Sequence, residues 1–356
     1  MTNRVVQLDI LRAIAILSVF LAHTVLSYGA PSVIAPLQFG GTGVDLFFVL
    51  SGWLIGSQLF SELNKFGNIE IRRFWVRRWM RTLPAYYAVL IFTIIQLSLT
   101  KDSFEFPFHY FFFTQNYDLP LTFFHVSWSL CVEEQFYLVI APAIVLLAKV
   151  NRHTRTAILL LILLLPSVFR YLGWYDSNEQ THVRWDCCIM GIILAHLKHS
   201  YQSFWQFLIK HAWKFALLSL VIYFYFYLAR WNREIYLAEP SKLILAFVFG
   251  AWVIWANSFK EDWHFKGEAI VMYISTRSYA IYLLHPDALA VCKRLIKDAP
   301  FVVYLAVAFA ISCLVAECLY RLIELPGMKA RSKFSFSQSR KKTDFNMQQE
   351  SKVASS

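Results

Sequence analysis

The sequence predicts an all-α fold, a polytopic membrane helix bundle of about ten transmembrane helices with both termini cytoplasmic. Three observations predict it. Of the 356 residues, 58% are hydrophobic and only 16% are charged, and the mean hydropathy of +0.47 is too high for a soluble globule. Apolar runs recur at the length of about 17 to 25 residues that a helix needs to cross a bilayer. Lysine and arginine concentrate in alternate connecting segments, the bias that keeps basic loops in the cytoplasm.

Read in order, the candidate spans lie near 5–28, 41–60, 84–100, 128–148, 156–174, 186–198, 211–229, 241–258, 268–290 and 301–324. With the N-terminus inside, 61–83 carries Lys65, Arg72, Arg73, Arg77, Arg78 and Arg81, and 149–155 carries Lys149, Arg152 and Arg155. Segments 199–210 and 259–267 and the basic end after 325 also fall inside. The outer segments 29–40, 101–127 and 175–185 are poorer in positive charge, whereas Arg230, Arg233, Lys293, Arg294 and Lys297 go against the alternation. The net charge of +11 is thus absorbed by topology, and no nucleic-acid-binding module is present.

The organisation expected is an integral membrane domain over 1–328 followed by a basic, polar, disordered cytoplasmic tail over 329–356, with no further domain attached. Asp9 and Arg12 interrupt any clean apolar core in the first thirty residues, so that stretch reads as a retained span rather than a signal peptide. The six cysteines lack the paired spacing of a metal site or a disulfide framework and read as small buried apolar residues. No metal is expected.

Ionisable groups inside a bilayer are costly and mark pairs, cavities or function. In "QLDILRAIAILSVFLAHTV", Asp9, Arg12 and His23 share one helix face, with Arg12 and His23 about 16 Å apart along the axis. The stripe is either an ion pair with a hydrogen-bonded core histidine or part of a site. "GGTGVDLFFVLSGWLIG" puts Asp45 at the outer end of the next span, at the depth of His23, where a carboxylate can fix an imidazole's tautomer. "HVSWSLCVEEQFYL" brings Glu133 and Glu134 to the same depth. The helix dipole accounts for these acids in part, and convergence with His23 and Asp45 argues for a site.

"RRFWVRRWMRTLPAYY" holds five arginines in ten residues before Pro84, which is expected to begin the third span. Arg78 and Arg81 lie one helical turn apart, so both planar guanidinium groups can reach one phosphate; contact with anionic lipid headgroups is the alternative. Further on, "RWDCCIMG" places Arg184 and Asp186 at the outer edge of the sixth span and "SYAIYLLH" ends on His285, while "LYRLIELP" places Glu324 at the inner end of the last. Arg184 with Asp186 reads as an interfacial pair or a contact for substrate, and His285, before Pro286, as a helix cap or a second site group.

Taken together these stretches, with "LDILRAIAILSVFLAH", "GVDLFFVLSGWLI" and "YRLIELP", resemble the membrane acyltransferases of family 3, in family order from about residue 7 to 330. The resemblance implies transfer of an acyl group, acetyl first among them, from cytoplasmic acyl-CoA to a hydroxyl of a cell-surface or exported carbohydrate. It implies a multi-pass protein of the bacterial inner membrane, without a metal. The family's Arg-x10-His motif falls on Arg12 and His23, its Arg-x-x-Arg motif on Arg78 and Arg81, its aspartate on Asp45 and its glutamate on Glu133. Ala13 replaces the usual glycine after the first arginine, and Thr82-Leu83 departs from the usual apolar residue after the last.

Acyl transfer to an alcohol needs a base, and His23 has the ordinary pKa nearest neutrality among the candidates. The expected roles are His23, Glu133 and Asp45 in catalysis, and Arg78, Arg81 and Arg12 in holding acyl-CoA, acetyl-CoA above all. Arg184, Asp186 and His285 are expected in acceptor binding. On this reading the pantetheine arm threads between helices toward His23, which acts as general base or as a transient acyl carrier. The alternative from another class is a transporter or flippase of a glycan or glycolipid, its charges lining a pathway. Lipopolysaccharide, exopolysaccharide, glycolipid and secreted glycoside are not separable as acceptors by these residues, nor is the oligomeric state readable.

Overall fold

The computed structural model describes residues 5–100, 105–121, 123–231, 241–260 and 263–330. All regular structure among them is helical. In chain order the helices are α1 (Val6–Ser27), α2 (Gly43–Phe66), α3 (Ile71–Thr100), the single turn α4 (Phe108–Phe111), α5 (Ser127–Leu147), α6 (Arg152–Tyr171), α7 (Trp185–Ser200), α8 (Gln202–Lys210), α9 (Ala212–Trp231), α10 (Ser241–Ala256), α11 (Glu268–Leu295), α12 (Phe301–Leu319) and α13 (Leu325–Ala330). A 3-10 segment, Ala35–Thr42, leads into α2, and five π-helical residues, Tyr320–Glu324, join α12 to α13.

Among the described residues, seven helical stretches are long and apolar enough to cross a membrane. The expected sixth and eighth spans form the 16-residue helices α7 and α10, and the ninth lies inside α11, which also carries Glu268, Arg277, Asp287, Lys293 and Arg294. The protein is a multi-pass membrane chain whose apolar surface is turned outward. Leu160, Leu161 and Leu164 on α6, and Leu217, Leu218, Val221 and Phe224 on α9, are exposed, a surface that lipid rather than water satisfies. Arg233 and the basic residues Arg331, Lys333, Arg340, Lys341, Lys342 and Lys352 lie outside the described residues.

Local chemistry sets the helix ends. Asn151 starts α6, its side-chain oxygen accepting from the backbone of His153 and Thr154 at 3.0 and 2.9 Å. Gly67 ends α2 with a φ of 70°, a conformation other residues adopt at a cost, and its N–H returns to the Leu63 carbonyl. The cysteines are all free; four are buried, as small apolar residues would be, while Cys318 is exposed.

The chain divides into two compact units, Met1–Ile69 with Glu105–Ala316, and Glu70–Phe104 with Glu317–Ser356. In the first, α1 packs against α2, α11 and the 3-10 segment, α2 against α7, and α10 against α9 and α7. The α2/α7 contact is close because glycines meet there. A Cβ on Gly52 would lie 2.0 Å from the Cys188 carbonyl oxygen, and one on Gly191 would lie 2.3 Å from both the Val49 carbonyl oxygen and the Trp53 nitrogen. Gly56, one turn on, faces Ala195. Small residues four apart on both helices let the backbones touch, which is how helices associate where lipid removes the hydrophobic drive.

In the second unit, α3 starts at Ile71 and runs through Pro84, so the arginine stretch and the apolar stretch expected as the third span form one helix. Proline lacks an N–H and leaves the carbonyl four residues back, that of Met80, without its helical donor. Gly327 of α13 comes so close to this oxygen that a Cβ there would sit 2.8 Å from it.

Candidate active site

The site is built at the C-terminal end of α1. Lower on that helix, Asp9 is fully buried, pairs with Arg12 at 3.2 Å and accepts the Ser275 hydroxyl of α11 at 2.6 Å. The expected i, i+3 ion pair is therefore present, and Ser275 fastens it to a helix far away in sequence. One face of α1 is thus pinned to α11 along its length.

At the other end of that face, the ring nitrogen Nδ1 of His23 meets Nε2 of His285 at 2.6 Å. The ring planes differ by 5° and the centroids lie 4.9 Å apart. That separation is the nitrogen distance plus a ring radius at each end, so the imidazoles lie edge to edge in one plane, hydrogen-bonded rather than stacked face to face. His285 is completely buried, whereas His23 is half-buried. The edge of Phe20 packs against His285, beside an apolar cluster of Leu289, Cys292, Tyr304 and Ala308.

His285 does not cap a helix, as one sequence reading had it, because α11 continues to Leu295 with Pro286 inside it. Its Nδ1 lies 2.9 Å from the carbonyl oxygen of Tyr282 and 3.1 Å from that of Ile281. Tyr282 stands beside it, donating its hydroxyl to the Val126 carbonyl at 3.0 Å and sharing a 2.6 Å hydrogen bond with Ser129 at the start of α5. Glu133 follows one turn along α5, within electrostatic reach of Tyr282 and Cys188. Since α5 begins at Ser127, Glu133 and Glu134 lie beyond the first turn, where the helix dipole no longer accounts for them.

Asp45 is not the partner of His23 that the sequence suggested. It is buried at the start of α2, where one carboxylate oxygen accepts from Arg184 at 2.7 Å and the other faces the Lys242 ammonium at 3.7 Å. The Arg184 guanidinium also lies over the rings of Trp128 and Phe48, at 5.1 and 5.7 Å. Asp186 pairs with Arg170 instead of Arg184, at 2.8 Å, and Arg170 in turn donates to the Val183 carbonyl. Glu179, in the segment before α7, is held above the usual carboxylate range by burial, with Arg184 pulling the other way. Arg184 and Asp186 thus belong to two neighbouring ion pairs, each bridging different elements.

Sequence reasoning missed Lys242, Arg170, Ser275 and Tyr282. Lys242 and Arg170 each carried a signal, a single cation inside an otherwise apolar stretch, "SKLILAFVFG" and "LLLPSVFRYL". Ser275 and Tyr282 carried none beyond being polar on a membrane helix. In the second unit, α3 places Arg78 and Arg81 one turn apart and half-buried, with Trp75 and Trp79 stacked nearby at 6.0 Å. No cluster of three or more metal-ligating side chains occurs among the described residues.

A multi-pass helical membrane protein with a paired imidazole at the C-terminal end of its first helix, and with ion pairs buried between its helices, is the class that these observations define. Residues 5–321 match the acyltransferase 3 family model, described as an acyltransferase domain, and the chain belongs to that family. It is 23% identical over 358 residues to the peptidoglycan O-acetyltransferase OatA of Listeria monocytogenes, an alignment covering 91% of this chain and 56% of OatA. A Staphylococcus aureus (strain COL) protein whose name carries "O-acetyltransferase" is 26% identical over 363 residues, 90% of this chain and 57% of that one. YrhL of Bacillus subtilis, whose name carries "peptidoglycan O-acetyltransferase", is 26% identical over 364 residues, 90% and 54% of the two chains. The chain spans a little over half the length of these relatives. No solved structure matches it.

Proposed function

We propose that this chain is a membrane O-acetyltransferase that moves an acetyl group from a CoA thioester to a carbohydrate hydroxyl, with His23 taking the hydroxyl proton. The observation that carries the reading is the half-buried His23 held by a fully buried second imidazole. In the step envisaged, the acceptor oxygen bonds to the thioester carbonyl carbon as its proton passes to His23. The C–S bond then breaks, and the proton goes on to the departing thiolate. Residues 1–328 form the acyltransferase domain, and the protein sits in the bacterial cell membrane. Glu133 borders the reacting groups, while the Asp45–Arg184 pair holds that end of the bundle in shape. The names of the relatives make a wall or surface glycan the first acceptor to test.

The test compares base-labile O-acetyl groups on wall, surface and secreted glycans from cells with the intact gene, the deleted gene, and His23→Ala at matched membrane levels. Loss of one O-acetyl species in both defective strains is expected, and it identifies the acceptor. Unchanged acetylation, with glycan stranded on one side of the membrane, would overturn the reading in favour of a transporter.

Arg78 and Arg81 are assigned to the donor's phosphates, for which paired guanidinium forks are suited. Arg78→Ala should raise the KM for acetyl-CoA roughly tenfold, the loss of about one charge-assisted contact of 1.5 to 3 kcal/mol. The acceptor KM should stay unchanged in the same assay. An acceptor-side effect would remove the assignment.

A further inference from the structure

We propose that His285 is a positioning residue that fixes His23 with its proton on Nδ1 and its lone pair on Nε2, and that Pro286 arms His285 for this role. Its catalytic use rests on the O-acetyltransferase reading, but the proton placement follows from the hydrogen bonds alone.

The argument starts with proline. A residue at position 286 with an N–H would donate it to the carbonyl of Tyr282, four residues back; Pro286 cannot, and the ring of His285 is placed to do so. Both neighbours of His285 Nδ1, the carbonyl oxygens of Tyr282 and Ile281, can only accept, so that nitrogen carries the hydrogen. A neutral imidazole with a proton on Nδ1 has its lone pair on Nε2, so across the 2.6 Å contact His23 Nδ1 is the donor. His23 therefore keeps Nε2 unprotonated, on the ring that retains exposure. A backbone defect at one residue in α11 decides which nitrogen of α1 is basic.

The arrangement also handles the proton that His23 accepts. An imidazolium at His23 still donates through Nδ1 to His285, whose far side rests on two carbonyl dipoles, so the charge is shared by two rings. The neutral second imidazole takes the orienting place that a carboxylate holds in a catalytic triad. It does so without a resting charge buried among Phe20, Leu289 and Tyr304.

The experiment uses the full-length protein in lipid bilayers with nitrogen-labelled histidine, His23 being assigned by its loss in His23→Ala. Wild-type His23 should show a protonated Nδ1 and a bare Nε2, and His285→Leu should turn this into a mixture while lowering kcat roughly 100-fold, as loss of an orienting partner does. His285→Gln restores an acceptor near the position of Nε2 and should recover activity to within about tenfold of wild type, with the proton back on Nδ1. Pro286→Ala, which returns an N–H to the Tyr282 carbonyl, should shift the tautomer balance in part. A wild-type His23 protonated on Nε2, or a tautomer unmoved in His285→Leu, overturns the proposal. So does a folded His285→Gln as inactive as the leucine variant. Because the tautomer is read without turnover, failure of the O-acetyltransferase reading would leave that result standing and show itself separately in the glycan analysis.

Discussion

Gly191→Val should abolish recovery of the folded protein. The added side chain begins at a Cβ that already lies 2.3 Å from the Val49 oxygen and 2.3 Å from the Trp53 nitrogen, and 2.7 Å from the Gly52 carbonyl carbon. These are backbone atoms, so no side chain can swing aside and only separation of α2 from α7 makes room. Overpacking that side chains can absorb costs about 1 to 3 kcal/mol; moving whole helices apart should exceed about 4 kcal/mol, a large part of the stability of one domain. The same separation breaks the 2.7 Å link between Asp45 at the start of α2 and Arg184 just ahead of α7. The measurement is the yield of monodisperse protein in detergent and its melting temperature, with Gly41→Ala as control, since a Cβ at Gly41 meets open space. A Gly191→Val protein that melts like wild type would show that the two helices do not meet in this way.

Asp45→Leu comes next in size. It removes the carboxylate between Arg184 and Lys242 and leaves both cations facing each other with the counter-charge gone. Removing one partner from a buried pair costs about 3 to 5 kcal/mol, mostly the penalty of the abandoned charge. Arg184→Leu should be costly for the converse reason, although Lys242 remains beside Asp45 to limit the damage. The Asp45→Leu/Arg184→Leu double variant should be clearly less destabilised than the sum of the two, by roughly 1 kcal/mol or more of coupling. Melting temperatures of the four proteins in one detergent give the cycle. Strict additivity would mean that the pair contributes nothing as a pair.

Much of this was legible because a membrane constrains one coordinate strongly. Runs of lipid-spanning length located most of the helices, and the spacing of Asp9 and Arg12 revealed their pairing because i and i+3 always share a face. Depth, however, says nothing about position around the bundle. Asp45 and His23 share a depth, yet Asp45 faces Arg184, 139 residues on, while His23 faces His285, 262 residues on. Pro84 marks where the apolar run expected as the third span begins, but the helix that carries this run starts at Ile71 and passes through Pro84 beside the close approach of Gly327. The glycines of "SGWLIG" were visible as letters, and what they permit became apparent only with α7 laid against them.

The histidine pair also bears on how the protein is made. His23 lies in the first helix and its partner in the eleventh, so the ribosome must add 262 residues before the two can meet. At about 5 to 20 residues per second, that is a wait of roughly 13 to 52 s. Throughout this time His23 can rest in the bilayer as a neutral imidazole, whereas an acid waiting across the same interval for a cation would first have to take up a proton and then release it when its partner arrived. A pair neutral on both sides is one that a chain inserting helix by helix can assemble late.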